Sequence, residues 1–228
     1  MIVPGAAVGE ADRLIVFVKY PGRGAVKTRL ARRIGRETAV EVYRCFVADT
    51  VAMAREAGFR PWVFFHPRAA RRAMIEWLGP DLAYEPQKGR DLGERMCGAF
   101  QRAFRECRRA VLVGSDTPDL PPAVVREAFH GLERHDAVLG PAFDGGYYLI
   151  GLTSAGLLPA LFQGLAWGGA LVFERTRQLL EEKGLSFHLL PPWGDIDEYE
   201  DLASLLDRRK DLPPGRLATI DYLRGRSW

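Results

Sequence analysis

Residues 111–122, VLVGSDTPDLPP, place an apolar, partly β-branched run directly before a glycine, a serine and an acidic turn studded with prolines. Val111, Leu112 and Val113 show no polar alternation, as expected of a strand buried on both faces of a sheet. Gly114 and Ser115 narrow the chain. Asp116 therefore falls just past the carboxyl end of the strand, where open α/β sheets bind their ligands. Pro118, Pro121 and Pro122 fix the direction of the turn. The stretch predicts a central strand with a carboxylate at its mouth, placed to hold a metal ion against a phosphate. A plainer reading makes Asp116 a former of the turn at Thr117–Pro118, with Asp119 as the cap of that turn and replaceable by Asn at little cost.

Working outward, strand and helix patterns alternate almost to the end of the chain. RLIVFV (13–18) reads as a strand, followed by a glycine-rich basic loop and a helix over about 37–57. PWVFFH (61–66), a short segment near 82–84, AVLVG (110–114), DAVLG (136–140), YYLIGL (147–152) and SFHLL (186–190) read as further strands. Helical patterns cover 69–78, 92–105, 122–130, 156–163, 169–183, 198–209 and 214–224. Strands separated by helices of this length imply a mainly parallel sheet wrapped on both faces. The spacing at 136–152 leaves no room for a helix, so the sheet is expected to become mixed there. No internal repeat or low-complexity linker divides the chain, and residues 1–228 are expected to form one domain.

The composition, 47% hydrophobic and 27% charged over 228 residues, suits a globular protein with a sizeable core. A net charge of +3 tolerates an anionic small molecule, but no Lys/Arg stripe interleaved with aromatics marks a nucleic-acid surface. Cys45, Cys97 and Cys107 lack CxxC spacing and read as free thiols rather than a zinc site. The His residues (66, 130, 135, 188) show no metal spacing. MIVPGAAVGEAD at the start does not read as a signal peptide, and no apolar run reaches the ~18 residues of a membrane span. The expectation is a cytoplasmic protein, monomeric or homodimeric.

KYPGRGAVKTRL (19–30) gathers Lys19, Arg23, Lys27 and Arg29 beside Gly22 and Gly24 after the first strand. Backbone N–H groups and long cations in such a loop can cradle phosphates. A Walker A motif, G-x-x-x-x-G-K-[ST], fails here: aligned on Lys27–Thr28, Pro21 and Val26 stand where both glycines should be. The dinucleotide fingerprint lacks its third glycine. Lys27 and Arg29 are expected on an exposed loop, important for binding phosphates and unimportant for stability.

Together FVKYPGRGAVKTRLA (17–31), GSDTPDLP (114–121) with GPAFDGGYYLIGL (140–152), and WGDIDEYEDL (193–202) resemble the bacterial DUF2064 family of transferases. That family lies within the GT-A-like nucleotide-diphospho-sugar transferase superfamily. Its relatives include phospholactate guanylyltransferase and the molybdenum-cofactor nucleotidyltransferases. The resemblance runs from about Leu14 to Leu202. It implies a Rossmann-like α/β GT-A fold, with a mixed, mostly parallel sheet and nucleotide over the N-terminal half. Lys19, Gly22, Gly24, Lys27 and Arg29 would form the phosphate loop, and Gly114 and Ser115 would lie against the nucleotide. QKGRDLGERM (87–96) is similar to the family's Q-x-x-G-x-L-G-x-R-M stretch, which brings Gln87 near the base. Asp116, with Asp195 and Asp197, would supply ligands to Mg²⁺ or Mn²⁺. Asp144, Gly145, Gly146 and Trp167 would face the acceptor. The chain departs from the family pattern at Glu198, where a Thr is usual, and at Gly169, where a Ser or Thr is usual.

Read from the residues alone, Asp195 and Asp197 could equally cap the helix that follows them, and DGGYY (144–148) could be a hairpin turn. Trp167, Trp193 and the Tyr147/Tyr148 pair read as packing groups before substrate platforms. Displacement at a nucleotide phosphorus or anomeric carbon builds negative charge on a departing diphosphate, which a divalent ion and fixed cations such as Lys27 and Arg29 stabilise. Three function classes follow: nucleotidyl transfer from a nucleoside triphosphate to a small acceptor, glycosyl transfer from a nucleotide-sugar, and non-catalytic nucleotide binding. The basic loop favours the first.

Overall fold

The computed structural model describes residues 12–22 and 26–224. Seven strands form one sheet: β1 (Asp12–Lys19), β2 (Trp62–His66), β3 (Ala83–Pro86), β4 (Arg109–Val113), β5 (Ala137–Pro141), β6 (Tyr147–Thr153) and β7 (Phe187–Leu189). Their spatial order is β3-β2-β1-β4-β6-β5-β7. β6 runs antiparallel to both of its neighbours, and every other pairing is parallel. The sheet is therefore mixed at the hairpin of β5 and β6, where the sequence leaves no room for a crossover helix.

Strand alternation sorts the core into two layers. Leu14, Val16 and Val18 of β1, with Val111 and Val113 of β4, face one side. There they meet α2 (Arg36–Glu56), α5 (Pro122–Gly131) and α7 (Tyr199–Arg208) through Phe46, Val125 and Leu202. The same side carries α1 (Thr28–Ile34), α3 (Arg71–Leu78) and α8 (Ala218–Leu223). Ile15 and Phe17 face the other side with Leu112, under α4 (Leu92–Ala103) and α6 (Val172–Glu182). β1 and β4 are buried on both faces, which explains their uninterrupted apolar runs. α8 is pinned by Asp49 of α2, whose carboxylate accepts from Ala218 N, Thr219 N and Thr219 Oγ1 at 2.7, 2.9 and 2.6 Å.

Two elements depart from the sequence expectation. The basic loop ends earlier, because Thr28–Ile34 forms a helix that closes at Gly35, with φ 83°, before α2 begins. Leu30 and Ile34, four residues apart, are its inward face, and Leu30 is fully buried. Over 156–163 there is no α-helix but a single 3-10 turn, Pro159–Phe162. Pro159 disfavours a helical conformation at Leu158, which is extended. Gly156 is pressed against Asp136, where a Cβ would lie 2.4 Å from the Asp136 carbonyl oxygen.

Candidate nucleotide and metal site

β1 has β2 on one side and β4 on the other, so the chain leaves β1 in one direction and later returns to its opposite edge. Such a switch point opens a crevice beyond the carboxyl ends of the two strands. Here a cavity of about 720 Å³ lies over it. The segments after β1 and β4 both reach this crevice.

Tyr43 of α2 ties the two strand ends together. Its hydroxyl accepts from Lys19 N at 2.9 Å and lies 3.1 Å from Ser115 Oγ. Burial, and then the nearby Asp116 charge, push its pKa well above the ordinary tyrosine value, so it stays a neutral phenol. No motif in the sequence marks Tyr43. Its place on the buried face of an amphipathic helix hides a polar role.

Lys27 begins α1 from a left-handed backbone, φ 47° and ψ 48°, with its carbonyl accepting from Ala31 N at 2.8 Å. Its ammonium lies 2.8 Å from Asp116 Oδ1 and 2.6 Å from Asp197 Oδ1. The Lys27 side chain is only 5% exposed, whereas the Asp116 and Asp197 side chains are 45% and 44% exposed. Burial alone would lower the pKa of this amine, but the two carboxylates overcome it and the net shift is upward. Lys27 is therefore not the exposed loop cation that the sequence suggests. It is a buried ammonium clamped between two acids.

The C-terminal acids are brought to the sheet edge by backbone pairing with the end of β5 and with the turn after β4. Trp193 N donates to Pro141 O at 3.1 Å, and Ile196 N donates to Asp116 O at 2.9 Å. The segment 193–197 is thereby laid along the turn after β4, with Asp195 and Asp197 on the cavity wall. Burial, and then the Asp144 and Asp197 carboxylates, push the Asp195 carboxyl up to about 6, with Lys27 acting in the opposite sense. Neither aspartate is the cap of α7. Glu198 holds that position, and Asp201 Oδ2 accepts from Asp197 N and Glu198 N at 3.0 and 2.9 Å.

Asp119 is not a replaceable turn cap either. Its side chain is fully buried and receives Arg208 Nε at 3.0 Å, Arg209 Nε at 3.1 Å and Trp193 Nε1 at 3.2 Å. It anchors the end of α7 and the 193 segment beneath the site. The partner arginines lie 89 and 90 residues away, beyond any local pattern.

Lys19, Arg29, Gln87, Gly114, Ser115, Asp144, Gly146 and Trp167 also line the cavity. Arg29 is 64% exposed and lies 3.8 Å from Glu198 Oε1. Gln87 uses its amide N–H on Phe64 O at 2.8 Å. Asp144 stabilises the turn between β5 and β6 by accepting from Gly146 N at 2.8 Å. Trp167 packs edge-on against Tyr147, with ring centroids 6.3 Å apart. Gly22 and Gly145 stand outside the lining. Gly145, at φ 88°, makes a close approach instead: a Cβ there would lie 2.1 Å from Ala170 O. Gly169 is outside the lining as well, and Gly24 lies outside the described residues.

Among the described residues, no group of three or more His, Cys, Asp or Glu side chains is gathered closely enough to hold a metal by itself. The donor chemistry nevertheless suits a hard divalent ion. Half-exposed carboxylates crowd around one ammonium, and Mg²⁺ characteristically takes only one or two carboxylates alongside phosphate oxygens and waters. No helix among the described residues is long and apolar enough to cross a membrane.

The family model described as "Uncharacterized protein conserved in bacteria (DUF2064)" matches residues 49–169. A solved structure from Desulfovibrio desulfuricans, provisionally named a nucleotide-diphospho-sugar transferase, is 39% identical, with 94% of each chain covered and a TM-score of 0.89. The inositol-1-phosphate CTP transferase of T. maritima is 14% identical over 96% of this chain and 99% of its own, with a TM-score of 0.59. A Mycobacterium tuberculosis protein solved as a manganese complex is 17% identical over 86% and 98%, with a TM-score of 0.54. At these lower identities the likeness is one of fold. No curated protein matches the sequence.

Proposed function

Because this chain belongs to the DUF2064 family and carries its charged groups at the switch point of a GT-A-like sheet, we propose that it is a metal-dependent, nucleotide-utilising transferase acting on a small acceptor. The observation that carries this reading is the clamp of Lys27 between Asp116 and Asp197. It sets a cation and two hard oxygen donors within one crevice, the combination that phosphate and a divalent ion require together. Asp116, with Asp195 or Asp197, would hold Mg²⁺ or Mn²⁺, which when bound neutralises charge on the phosphate oxygens. With its carboxylate partners engaged in that way, the Lys27 ammonium would be available to a phosphate oxygen. Arg29 at the rim adds a second cation, and Gly114 lets a ligand approach the backbone above β4. Asp144, Gly146 and Trp167, which also line the cavity, would face the acceptor. Gly145 would act through turn geometry, its φ of 88° and its close approach to Ala170 O leaving no room for a side chain.

Nucleotidyl transfer is the preferred chemistry, since expelling pyrophosphate from a triphosphate calls for more cations than holding a diphosphate. The name carried by the Desulfovibrio relative favours glycosyl transfer as the second reading. Incubation with panels of nucleoside triphosphates and nucleotide-sugars, with Mg²⁺ and candidate acceptors, separates them. Release of pyrophosphate supports the first and release of nucleoside diphosphate the second. Tight nucleotide binding with neither product supports a binding module.

A further inference from the structure

Besides the Lys27 clamp, the cavity is lined by a second set of basic groups, drawn from the end of β1, the end of β2 and the start of α4. β1 and β2 pair in parallel with Lys19 opposite His66. Each lies two residues beyond a phenylalanine, Phe17 and Phe64, that packs into the apolar layer under α4. Strand alternation therefore sets Lys19 and His66 side by side on the face that α4 covers. Arg95, next to Met96 of that same layer, projects from the first turn of α4, and all three side chains line the cavity.

These groups repel one another. Burial, then the charge of Arg95, then that of Lys19, hold the His66 imidazole below its ordinary pKa. Among the described residues no carboxylate pairs with any of the three. Arg95 spends only its Nε, on Gly89 O at 3.1 Å, and keeps the remaining donors of its guanidinium. Arg60, Arg71 and Arg126 likewise bond only backbone carbonyls, so what sets the trio apart is its convergence on the lining of one cavity. Unpaired basic groups converging in a concave site gain from an anion that neutralises them, and a guanidinium is suited to two oxygens of one oxyanion.

We propose that Lys19, His66 and Arg95 form a second anion subsite, which takes a phosphate or carboxylate group carried by a ligand of this cavity. Only the source of that anion rests on the proposed function. It is either the terminal phosphate of the nucleotide or an anionic group of the acceptor. The acidic cluster and the basic trio would then divide the cavity, with the metal and the reacting phosphate at one end and a fixed oxyanion at the other.

The test is calorimetric titration of inorganic phosphate into the full chain, alone and saturated with the triphosphate (ATP, GTP, CTP or UTP) that binds it. The variants are Arg95→Gln, Arg95→Lys and His66→Gln, each checked for a normal melting curve. Wild type should bind phosphate, Arg95→Gln should bind it about tenfold or more weaker, and Arg95→Lys should recover part of the loss. If phosphate competes with the triphosphate, and Arg95→Gln weakens the triphosphate but not the monophosphate, the anion belongs to the nucleotide. If phosphate binds to the nucleotide-saturated protein and Arg95→Gln leaves nucleotide affinity alone, it belongs to the acceptor. Wild type that binds no phosphate in either state overturns the proposal, as do Arg95→Gln and His66→Gln variants that bind it normally. Wild type that binds phosphate through Arg95 but no nucleotide sinks the transferase reading and leaves the subsite standing.

Discussion

Replacing Lys27 by Met removes the ammonium while keeping an unbranched apolar stem in the same left-handed backbone, so the backbone cost of φ 47° is nearly unchanged. The substitution breaks the ion pairs at 2.8 Å to Asp116 and 2.6 Å to Asp197. Each pair amounts to about 6 kcal/mol at an effective dielectric of about 20, opposed by a desolvation cost of several kcal/mol for the buried ion. Breaking a fully buried pair costs about 3–5 kcal/mol. Both carboxylates here are nearly half exposed and can rehydrate, which reduces the expected loss to about 1–3 kcal/mol. For a chain of this size that corresponds to a melting temperature about 2–12 °C lower. The same change leaves the acids without their counter-cation. In the absence of nucleotide, Mn²⁺ should therefore bind Lys27→Met about tenfold or more tightly than wild type, and should restore part of the lost stability. Melting curves with and without Mn²⁺, together with a Mn²⁺ titration followed by electron paramagnetic resonance, read both effects. A variant that melts like wild type and binds Mn²⁺ no better would refute the clamp.

Three further substitutions probe the frame around the site. Asp119→Ala should cost about 2–4 kcal/mol in denaturant unfolding, because it strands two arginines and the Trp193 N–H; an unchanged midpoint would show that the end of α7 is held otherwise. Asp49→Ala should cost about 2–4 kcal/mol, since Ala218 N and Thr219 N lose their acceptor and α8 its anchor on α2; hydrogen exchange should rise first over 218–223. Gly145→Ala should destabilise the hairpin of β5 and β6 by about 1–3 kcal/mol, as its Cβ would overlap Ala170 O and φ is 88°. Nucleotide affinity should survive that last change, and a fall in nucleotide affinity equal to that of a clamp variant would contradict the placing of Gly145 outside the lining.

The central strands were legible because β1 and β4 are buried on both faces, which leaves an unbroken apolar run in each. The residues immediately after them follow from that placement, so Lys19, Lys27 and Asp116 could be assigned to one edge from the sequence. Their mutual geometry could not. The contact between Lys27 and Asp197 spans 170 residues, and nothing local distinguishes a buried, paired lysine from an exposed one. Asp119 misleads for the same reason, since Asp before prolines is a strong turn signal and its true partners are Trp193 and the arginines at the end of α7. His66 carries no motif spacing, and Arg95 falls in the 87–96 stretch without any sign there of an anion role. Their convergence on Lys19 depends on the register of β2 against β1 and on how α4 covers the sheet. Even α1 is short enough for its two apolar positions to be lost among the basic residues that frame them.

The claim that the crevice above β1 and β4 holds a metal-bound nucleotide rests most directly on Asp116. Calorimetric titration of nucleoside triphosphates into wild type and Asp116→Asn, each with and without Mn²⁺, measures it. Asn keeps the size of the side chain and removes its charge. The expected result is binding to wild type that strengthens about tenfold or more with Mn²⁺, and loss of that metal-dependent part in Asp116→Asn with a preserved melting curve. Triphosphate binding that ignores Mn²⁺, or that is the same in both proteins, would contradict the account.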